Sequence, residues 1–571
     1  MFKLKPLRPL SLDLLLVGAL LLLSPIIHGF RYPSNLTPDA ISYLTLAQDL
    51  LSTGKLFIAS SGHIDTGLII PPLYPFLIGV TSLVSDNAIR NAEWISAACI
   101  LLVTVPMFLL VKRSANRYVA IAAVLLFQLN VYSVYFASSI LTEALFLLIL
   151  ISALYFAVRL TEQNAPRVAP FLLLGILAGL LFLTRQIGIT FLIFLLVWFA
   201  ADALFRNPGR TYNGARGLAL IAAGWLIIVG GHAVALYAQT GMSPFHHSFR
   251  MHNYVVQTAD ASVIDEIRHI SDMQENNYVD IYAKRRLLWK LLPDGSEMLA
   301  NVVGPDGAQI ANAKNKDDGT ARTALNQLGP PGQWLLDFFK NTWHLKTPLG
   351  VPLFVLLVVS FITPLLLPEA RQRWSARLII PAFVCLYILA VSVFTSNVSR
   401  YLIVLFPLAL IQIALESAIV FRRWAQRPAK PGLPEAVIAL VLVALLLLVP
   451  KNFYEAPRHP PDSINLASWS EVNARVSAGD PIFALLPVYP YLAGGRYRAL
   501  PNDSLEKTVH YARLTGVRWL LVPKHPDRFP EIRFHAHAAW LLEPEKLYRR
   551  TDLLRFCCVQ DDEHLLFEIV R

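Results

Sequence analysis

The chain has 571 residues, a net charge of +11 and a mean hydropathy of +0.50. Apolar residues make up 55% and charged residues 16% of it, whereas soluble globular proteins carry about 25% charged residues. This composition excludes a purely soluble protein, a mainly disordered chain and a disulfide-stapled secreted scaffold. Of the four cysteines, two lie inside apolar runs, and the adjacent Cys557 and Cys558 have a poor geometry for a structural disulfide.

Eleven apolar runs are long enough to cross about 30 Å of hydrocarbon. They lie at 11–28, 90–111, 118–136, 139–158, 168–184, 186–205, 217–238, 347–367, 378–396, 400–421 and 434–450. The predicted fold class is therefore an all-α polytopic membrane bundle of about 11 transmembrane helices, with additional juxtamembrane helices. A further run, Leu68–Val84, contains Pro71, Pro72 and Pro75. It is interpreted as a half-buried or juxtamembrane piece, and a spanning helix remains the alternative.

Basic residues orient the predicted bundle. The N-terminus carries Lys3, Lys5 and Arg8, and every second connection after it is also basic, as at 112–117 and 422–430. By the positive-inside rule these segments are cytoplasmic. A crossing by the proline-containing run would invert every later loop, so the alternation favours the non-spanning interpretation. The first run lacks a small-residue cleavage site after it and is expected to be a retained helix.

Three large segments, 29–89, 239–346 and 452–571, are then predicted on the outer face. We expect residues 1–451 to form the membrane domain, which includes the first two of these segments. Residues 452–571 are expected to form a soluble periplasmic α/β domain. Its predicted strands are Pro481–Pro487, Val517–Pro523, Leu553–Val559 and His564–Val570, and its predicted helix is Ser504–Thr515, capped by Asn502 or Asp503. In the second outer segment, helices are expected at 262–291 and 319–343, separated by a polar stretch at 293–319.

The sequence predicts an amphipathic helix in the first outer segment. Thr37 can cap it, Pro38 suits its first position and Gly54 can end it. Its expected apolar face consists of Ala40, Tyr43, Leu44, Ala47, Leu50 and Leu51. Asp39 lies in the first turn, at the water boundary of the outer membrane interface. From spacing alone, a carboxylate that offsets the helix dipole is the simpler interpretation of Asp39.

Three other charged residues are predicted near the outer ends of spans. Glu143 follows Thr142 where a span begins, and it is either a functional carboxylate or part of a helix cap. Arg185 and Arg400 lie at outer corners that otherwise carry few basic residues. A guanidinium at headgroup depth can bind phosphate bidentately, and snorkelling toward lipid headgroups is the alternative.

Weaker candidates lie in the outer segments. His63 and Asp65 are more simply explained as a solvated loop. His246, His247 and His252 lack a good metal-ligand spacing, so a metal site there is not favoured. No Gly-rich phosphate loop, paired CxxC or Ser/His/Asp arrangement is visible in the sequence.

The order of these motifs resembles the GT-C superfamily of polytopic glycosyltransferases. The motifs are Asp39-x-x-x-Tyr43, Pro71-Pro72-Leu73-Tyr74-Pro75, Thr142-Glu143, Leu183-Thr184-Arg185 and Ser399-Arg400-Tyr401, all on one predicted side of the membrane. Bacterial relatives of protein O-mannosyltransferases and of the lipid A aminoarabinose transferase are the most similar branch, over about residues 1–450. Two departures are visible: Asp39 stands alone rather than beside a second acid, and Ile70 stands where the aminoarabinose branch has Lys.

The resemblance implies an inverting glycosyltransferase of the bacterial inner membrane, with a cytoplasmic N-terminus and a periplasmic C-terminal domain. It implies catalytic roles for Asp39, as general base, and for Glu143. Substrate-binding roles are expected for Tyr43, Asp65, Tyr74, Arg185, Arg400 and Tyr401. The expected partners are a polyprenyl-phosphate-linked sugar donor, a hydroxyl acceptor on a lipid, glycan or protein, and membrane lipids, but no nucleic acid. A divalent cation held by Glu143 is left open.

Two other functions remain as alternatives. A transporter or flippase of lipid-linked glycans would show broken helices and charges near the midplane, whereas most predicted spans here have interiors without ionisable residues. A polymerase or ligase of lipid-linked glycans would use similar donors.

Overall fold

The structure is a computed structural model, and a restricted set of residues in it is described. These are 12–27, 36–56, 70–85, 87–162, 168–206, 211–240, 253–256, 286–291, 297–303, 309–311, 338–339, 341–366, 371–394, 398–424, 475–477, 479–485, 488–500, 504–526, 538–560 and 564–570.

The N-terminal part is helical, and its helices follow the apolar runs of the sequence. In chain order they are α1 (Leu12–Ile27), α2 (Pro38–Thr53), α3 (Leu73–Ser82), α4 (Ala88–Ser114), α5 (Arg117–Leu129), α6 (Val131–Ser138), α7 (Glu143–Glu162), α8 (Val168–Thr184), α9 (Ile189–Ala201), α10 (Thr211–Thr240), α11 (Lys346–Leu366), α12 (Arg371–Phe394), α13 (Val398–Ile403) and α14 (Phe406–Trp424). A 3₁₀ turn, Gln186–Gly188, precedes α9, and a π turn, Asp202–Arg206, follows it.

Several of these helices can cross a membrane. Among the described residues, five are long and apolar enough to span, and α5 with α6 makes a sixth if the bent pair is one span. Shorter apolar helices add 73–82, 169–184, 353–364 and 377–391. A multi-pass helical membrane protein is therefore confirmed, but the number of eleven spans is not. The predicted run 434–450 lies outside the described residues.

The run predicted as one span at 118–136 is broken at Asn130, where the two helical pieces meet at 59°. Asn130 has extended backbone angles and ends α5, and its side-chain oxygen accepts from the backbone N–H of Tyr132 at 2.9 Å. It therefore caps α6 while ending α5. The Ser133 hydroxyl donates to the Phe127 carbonyl at 2.5 Å and satisfies an acceptor at the break. The predicted run is therefore helical but bent, because the Asn side chain satisfies the backbone locally at the break.

The proline-containing run forms only the ten-residue helix α3. Ten helical residues reach about 15 Å, roughly half the hydrocarbon thickness. The helix is thus too short to cross and matches the juxtamembrane interpretation. It packs against both α2 and α4.

The helices α8 and α10 pack closely because a glycine of each helix faces the backbone of the other. A Cβ on Gly175 would lie 2.1 Å from the Ile221 carbonyl oxygen, and one on Gly224 would lie 2.4 Å from the Leu172 oxygen. Small residues let membrane helices approach in this way. The most buried apolar stretches lie at Tyr401–Val420, 83% buried, and in α7, 72% buried, whereas only 17% of the apolar stretch of α10 is buried.

A second feature of the bundle is a buried ion pair between α12 and α14. The Nε and Nη2 atoms of Arg377 donate to the two carboxylate oxygens of Glu416 at 2.8 and 2.5 Å. The Gln412 amide donates to the carbonyls of Ser360 and Arg377, both at 3.3 Å. Arg377 lies within α12, and Glu416 neutralises its charge there.

The C-terminal part is an α/β unit, as predicted. Its strands are β5 (Pro481–Ala484), β6 (Arg496–Ala499), β7 (Trp519–Pro523), β8 (Leu554–Gln560) and β9 (His564–Ile569), and its helices are α15 (Val488–Leu492) and α16 (Leu505–Thr515). The sheet order is β6-β5-β7-β9-β8; the first three strands are parallel, and the last two form the expected antiparallel hairpin. Ser504 caps α16 by accepting from the Lys507 N–H. Residues 502 and 503, expected as the cap, lie outside the described residues.

The second outer segment contains strands where helix or loop was expected. They are β1 (Asn253–Val256), β2 (Arg286–Leu291), β3 (Glu297–Val303) and β4 (Gln309–Ala311), paired in that order. The helix expected over 262–291 is wrong at its end, and the stretch 293–319 is not only a separator. Residues of β2 and β3 pair antiparallel, with a register shift between Leu287 and Trp289, and such pairing with a distant strand is not visible in local sequence periodicity.

The three predicted outer segments meet on one side of the bundle. The Gln239 side chain, at the end of α10, donates to the Gly54 carbonyl at 3.0 Å and accepts from the Leu56 N–H at 2.8 Å. In addition, α15 contacts α2, and α16 contacts β1. These contacts place the segments together, as the loop alternation predicts.

Candidate active site

The helix that carries Asp39 begins and ends where the sequence predicts. The Thr37 hydroxyl accepts from the Ala40 N–H at 3.2 Å, Pro38 is the first residue, and Gly54 ends the helix at φ 68°. This left-handed conformation favours glycine, because it has no Cβ. Asp39 lies half-buried in the first turn, where a carboxylate is stabilised by the positive end of the helix dipole.

Helix α2 is buried over more of its surface than is expected for a helix that lies in the membrane interface. Ala40, Tyr43, Leu44 and Ala47 are buried, as expected of the apolar face, and so are Ile41 and Leu46. Leu51, expected on the buried face, is 43% exposed. The helix therefore packs within the protein around most of its first three turns, which fixes the direction of its N-terminal end.

Tyr43 connects α2 to α3 and α4. Its ring meets that of Tyr74 edge to face, with centroids 5.6 Å apart. Tyr74 is fully buried; its hydroxyl donates to the Ala92 carbonyl at 3.0 Å and shares a hydrogen bond with the Ser96 hydroxyl at 2.9 Å. Residues four apart share a helix face, so Asp39 and Tyr43 lie on the same side of α2.

Glu143 and Arg185 form a buried ion pair. The Arg185 Nη1 atom lies 2.5 Å from the Glu143 Oε1 atom, and the two side chains are 8% and 1% exposed. Arg185 Nη1 also donates to the Thr142 hydroxyl at 3.4 Å. The Arg185 guanidinium carbon lies 4.7 Å from the centre of the Tyr401 ring, within cation–π range. Thr142 and Glu143 were predicted at a helix corner. The structure shows that both contact Arg185, which lies 42 residues after Glu143 in the chain.

Two tyrosines connect this pair to its surroundings. Tyr74 and Tyr387 both lie close enough to Glu143 to experience its charge, and Tyr387 is also near Arg185. The Tyr387 hydroxyl donates to the Tyr401 carbonyl at 3.5 Å. Direct contacts form two groups, Tyr43 with Tyr74 and Glu143 with Arg185, Tyr401 and Tyr387. The charge of Glu143 acts on Tyr74 across the space between the groups, and the two together are called the network below.

Sequence reasoning named five members of this network: Tyr43, Tyr74, Glu143, Arg185 and Tyr401. It missed Tyr387, which is an aromatic residue within an apolar run and has no distinguishing local signal. Its only signal in the sequence is a hydroxyl placed in a membrane helix, where a buried polar group needs a partner.

Besides Asp39, at the start of α2, two named residues are not placed in this network. Asp65 lies outside the described residues. Arg400 precedes Tyr401 on α13, and its side chain lies outside the described part of the chain. Among the described side chains, no group of three or more His, Cys, Asp or Glu could hold a metal ion. His246, His247 and His252 are also outside the described residues.

Residues 70–229 match the family of dolichyl-phosphate-mannose-protein mannosyltransferases. This segment includes Tyr74, Glu143 and Arg185. None of the curated protein sequences compared with the chain matches it.

Solved structures share the fold at low sequence identity. ArnT from Cupriavidus metallidurans, bound to undecaprenyl phosphate, is 11% identical with a TM-score of 0.52, and the similarity covers 99% of each chain. The oligosaccharyltransferase of Archaeoglobus fulgidus, in complex with zinc and sulfate, is 12% identical with a TM-score of 0.56, over 92% of this chain and 70% of that one.

A third structure is the A. fulgidus oligosaccharyltransferase AglB in complex with an inhibitory peptide and a dolichol-phosphate. It is 11% identical with a TM-score of 0.56, over 95% of this chain and 72% of that one. The chain resembles the GT-C glycosyltransferases in fold and sequence motif. The resemblance inferred from its motifs is thus confirmed.

Proposed function

We propose that the chain is an integral membrane glycosyltransferase. It transfers a sugar from a polyprenyl-phosphate donor to a hydroxyl acceptor at the outer face of a bacterial inner membrane. The observations that carry this proposal are the half-buried carboxylate of Asp39, at the start of a helix whose Tyr43 packs against the buried Tyr74, and the buried Glu143–Arg185 pair. The matched mannosyltransferase family and the lipid phosphates bound by AglB and ArnT support the donor class.

Asp39 acts as the general base in this proposal. It accepts the proton of the acceptor hydroxyl as that oxygen attacks the anomeric carbon. The polyprenyl phosphate leaves from the opposite face of the sugar, so the anomeric configuration inverts.

The leaving phosphate needs positive charge more than it needs a proton. Arg400 and Arg185 supply that charge, and Glu143 holds Arg185 in place. An arginine carries five N–H donors in a fixed plane, so one guanidinium can bind a carboxylate and a phosphate together. Tyr43, Asp65, Tyr74 and Tyr401 complete the walls of the site for the donor and acceptor.

The C-terminal domain contacts the helix that carries the proposed base, because α15 packs against α2. The acceptor therefore enters between the membrane bundle and this domain. A free nucleotide sugar is not the expected donor, because nucleotides are cytoplasmic and the acidic residues of the site lie with the outer segments.

The test is a transfer assay on purified protein in detergent with labelled polyprenyl-phosphate sugar. Wild-type protein should release lipid phosphate and label an acceptor. Asp39→Asn should fold, yet lose at least about 100-fold of the transfer rate, the usual contribution of a general base. Asp49→Asn, on the last turns of the same helix, is the matched control and should keep wild-type activity.

Two results would contradict the proposal. Wild-type transfer by the Asp39→Asn protein would remove the base from the mechanism. Movement of the intact lipid-linked sugar across vesicle membranes, without any transfer, would instead support a flippase.

A further inference from the structure

Cys557 and Cys558 bring their sulfur atoms to 2.9 Å in the edge strand β8. This is unexpected, because consecutive side chains of a regular strand point to opposite faces of the sheet. The pairing with β9 gives the reason. Phe556 pairs with Phe567 and Cys558 pairs with Leu566, so Cys557 is the extra residue of a β-bulge.

The bulge turns both cysteines toward one face of the sheet. Cys558 belongs to the apolar cluster that also contains Trp519 and Leu566, and Cys557 packs against the same cluster while partly exposed. Phe567, the partner of the residue before the bulge, belongs to the cluster on the other face. The β-bulge therefore brings the two thiols together, and the partly exposed Cys557 is accessible to a reagent.

We propose that Cys557 and Cys558 form a reversible dithiol–disulfide site whose co-reactant is a small-molecule or protein disulfide. The Cys557 thiolate attacks one sulfur of the incoming disulfide and releases one thiol, which leaves a mixed disulfide on Cys557. The Cys558 thiolate then attacks the Cys557 sulfur and releases the second thiol. Two protons and two electrons pass from the cysteines to the co-reactant, which becomes two thiols.

The product is reducible rather than structural. Neighbouring Cα atoms are about 3.8 Å apart across a trans peptide, below the separation of about 4.4–6.8 Å found in ordinary disulfides. A disulfide between adjacent residues is therefore strained, and strained disulfides have more oxidising potentials. The site is thus expected to change state with the thiol–disulfide balance around the protein.

The position of the site connects it to the rest of the molecule. Val488 and Leu492 of α15 belong to the same apolar cluster as Cys558. The helix α15 in turn contacts α2, the helix that carries Asp39.

The experiment uses the full-length protein in detergent, incubated with oxidised glutathione and digested with trypsin. Cleavage after Arg555 places both cysteines in one peptide, 556–571. The wild-type peptide should lose two hydrogen atoms in mass and take up no alkylating reagent. Dithiothreitol should restore two alkylatable thiols.

Three variants complete the test. Cys557→Ser and Cys558→Ser should each give a glutathione mixed disulfide on the remaining cysteine, and neither should retain phenylarsine oxide, which binds paired thiols. Cys385→Ser, in α12, should behave as wild type. Two glutathione adducts on the wild-type peptide, or arsenical retention by Cys557→Ser equal to wild type, would overturn the proposal. These readouts involve no glycosyl transfer, so they stand or fall apart from the proposed function.

Discussion

The buried Glu143–Arg185 pair offers a direct test of how the candidate site is held. Its atoms lie 2.5 Å apart, and both side chains are almost completely removed from solvent. Removing one partner of such a pair leaves an uncompensated buried charge, which costs about 3–5 kcal/mol. We expect Glu143→Gln and Arg185→Met each to lower the free energy of unfolding by about 3 kcal/mol.

The double variant isolates the interaction. When both charges are removed, no buried charge remains without a partner. The double variant should therefore lower the free energy of unfolding by at least about 2 kcal/mol less than the sum of the two single variants. The measurement is reversible denaturant unfolding in one fixed detergent, with thermal melting as a second readout.

A matched control lies at the other end of the same helix. Arg113 and Glu162 form an ion pair whose side chains are 40% and 17% exposed. Exposed pairs contribute about 0–1 kcal/mol, so Arg113→Met and Glu162→Gln should couple by no more than that. A coupling energy at Glu143–Arg185 no larger than at this control pair would refute the view that the pair organises the site.

Two further predictions concern packing and titration. Gly175→Ala should destabilise the bundle by about 1–3 kcal/mol, because its Cβ would meet the Ile221 carbonyl oxygen at 2.1 Å, whereas Gly230→Ala, with open space around it, should leave the melting temperature unchanged. Burial raises the pKa of Tyr491 from its ordinary 10 to about 12. The unfolded chain therefore loses this proton first, so stability should fall between pH 10 and 12 by up to about 3 kcal/mol, and Tyr491→Phe should remove that part of the fall in alkaline unfolding curves.

Local signals account for the parts of the fold that the sequence predicts well. The bounds of α2 follow from a threonine cap, a proline at the first position and a glycine at the end, all within 18 residues of chain. The β8–β9 hairpin is likewise set by neighbouring residues. Such features depend on hydrogen bonds made a few residues apart, which the order of residue types reveals.

Features that depend on distant residues were not predictable in the same way. The break at Asn130 lies in a run whose average hydropathy is that of a straight span, because hydropathy does not register a side chain that caps the next helix. The pairing of Glu143 with Arg185 joins helices separated along the chain. The sequence placed both residues at outer corners but could not show that they contact each other. Tyr387 had no local signal that distinguishes it from other aromatic residues of the spans.

The two buried ion pairs of the bundle show why burial of charge does not by itself identify an active site. Arg377 and Glu416 meet through two parallel hydrogen bonds, a geometry that fixes α12 against α14 and uses both carboxylate oxygens. Glu143 and Arg185 are equally buried, but they stand beside Tyr401 and within the electrostatic reach of Tyr74, whose ring contacts the helix that carries Asp39. The first pair connects two helices and has no further part in the proposal. The second pair supplies, in the proposed mechanism, the cation that acts with the base Asp39 in the transfer of a sugar from a lipid phosphate.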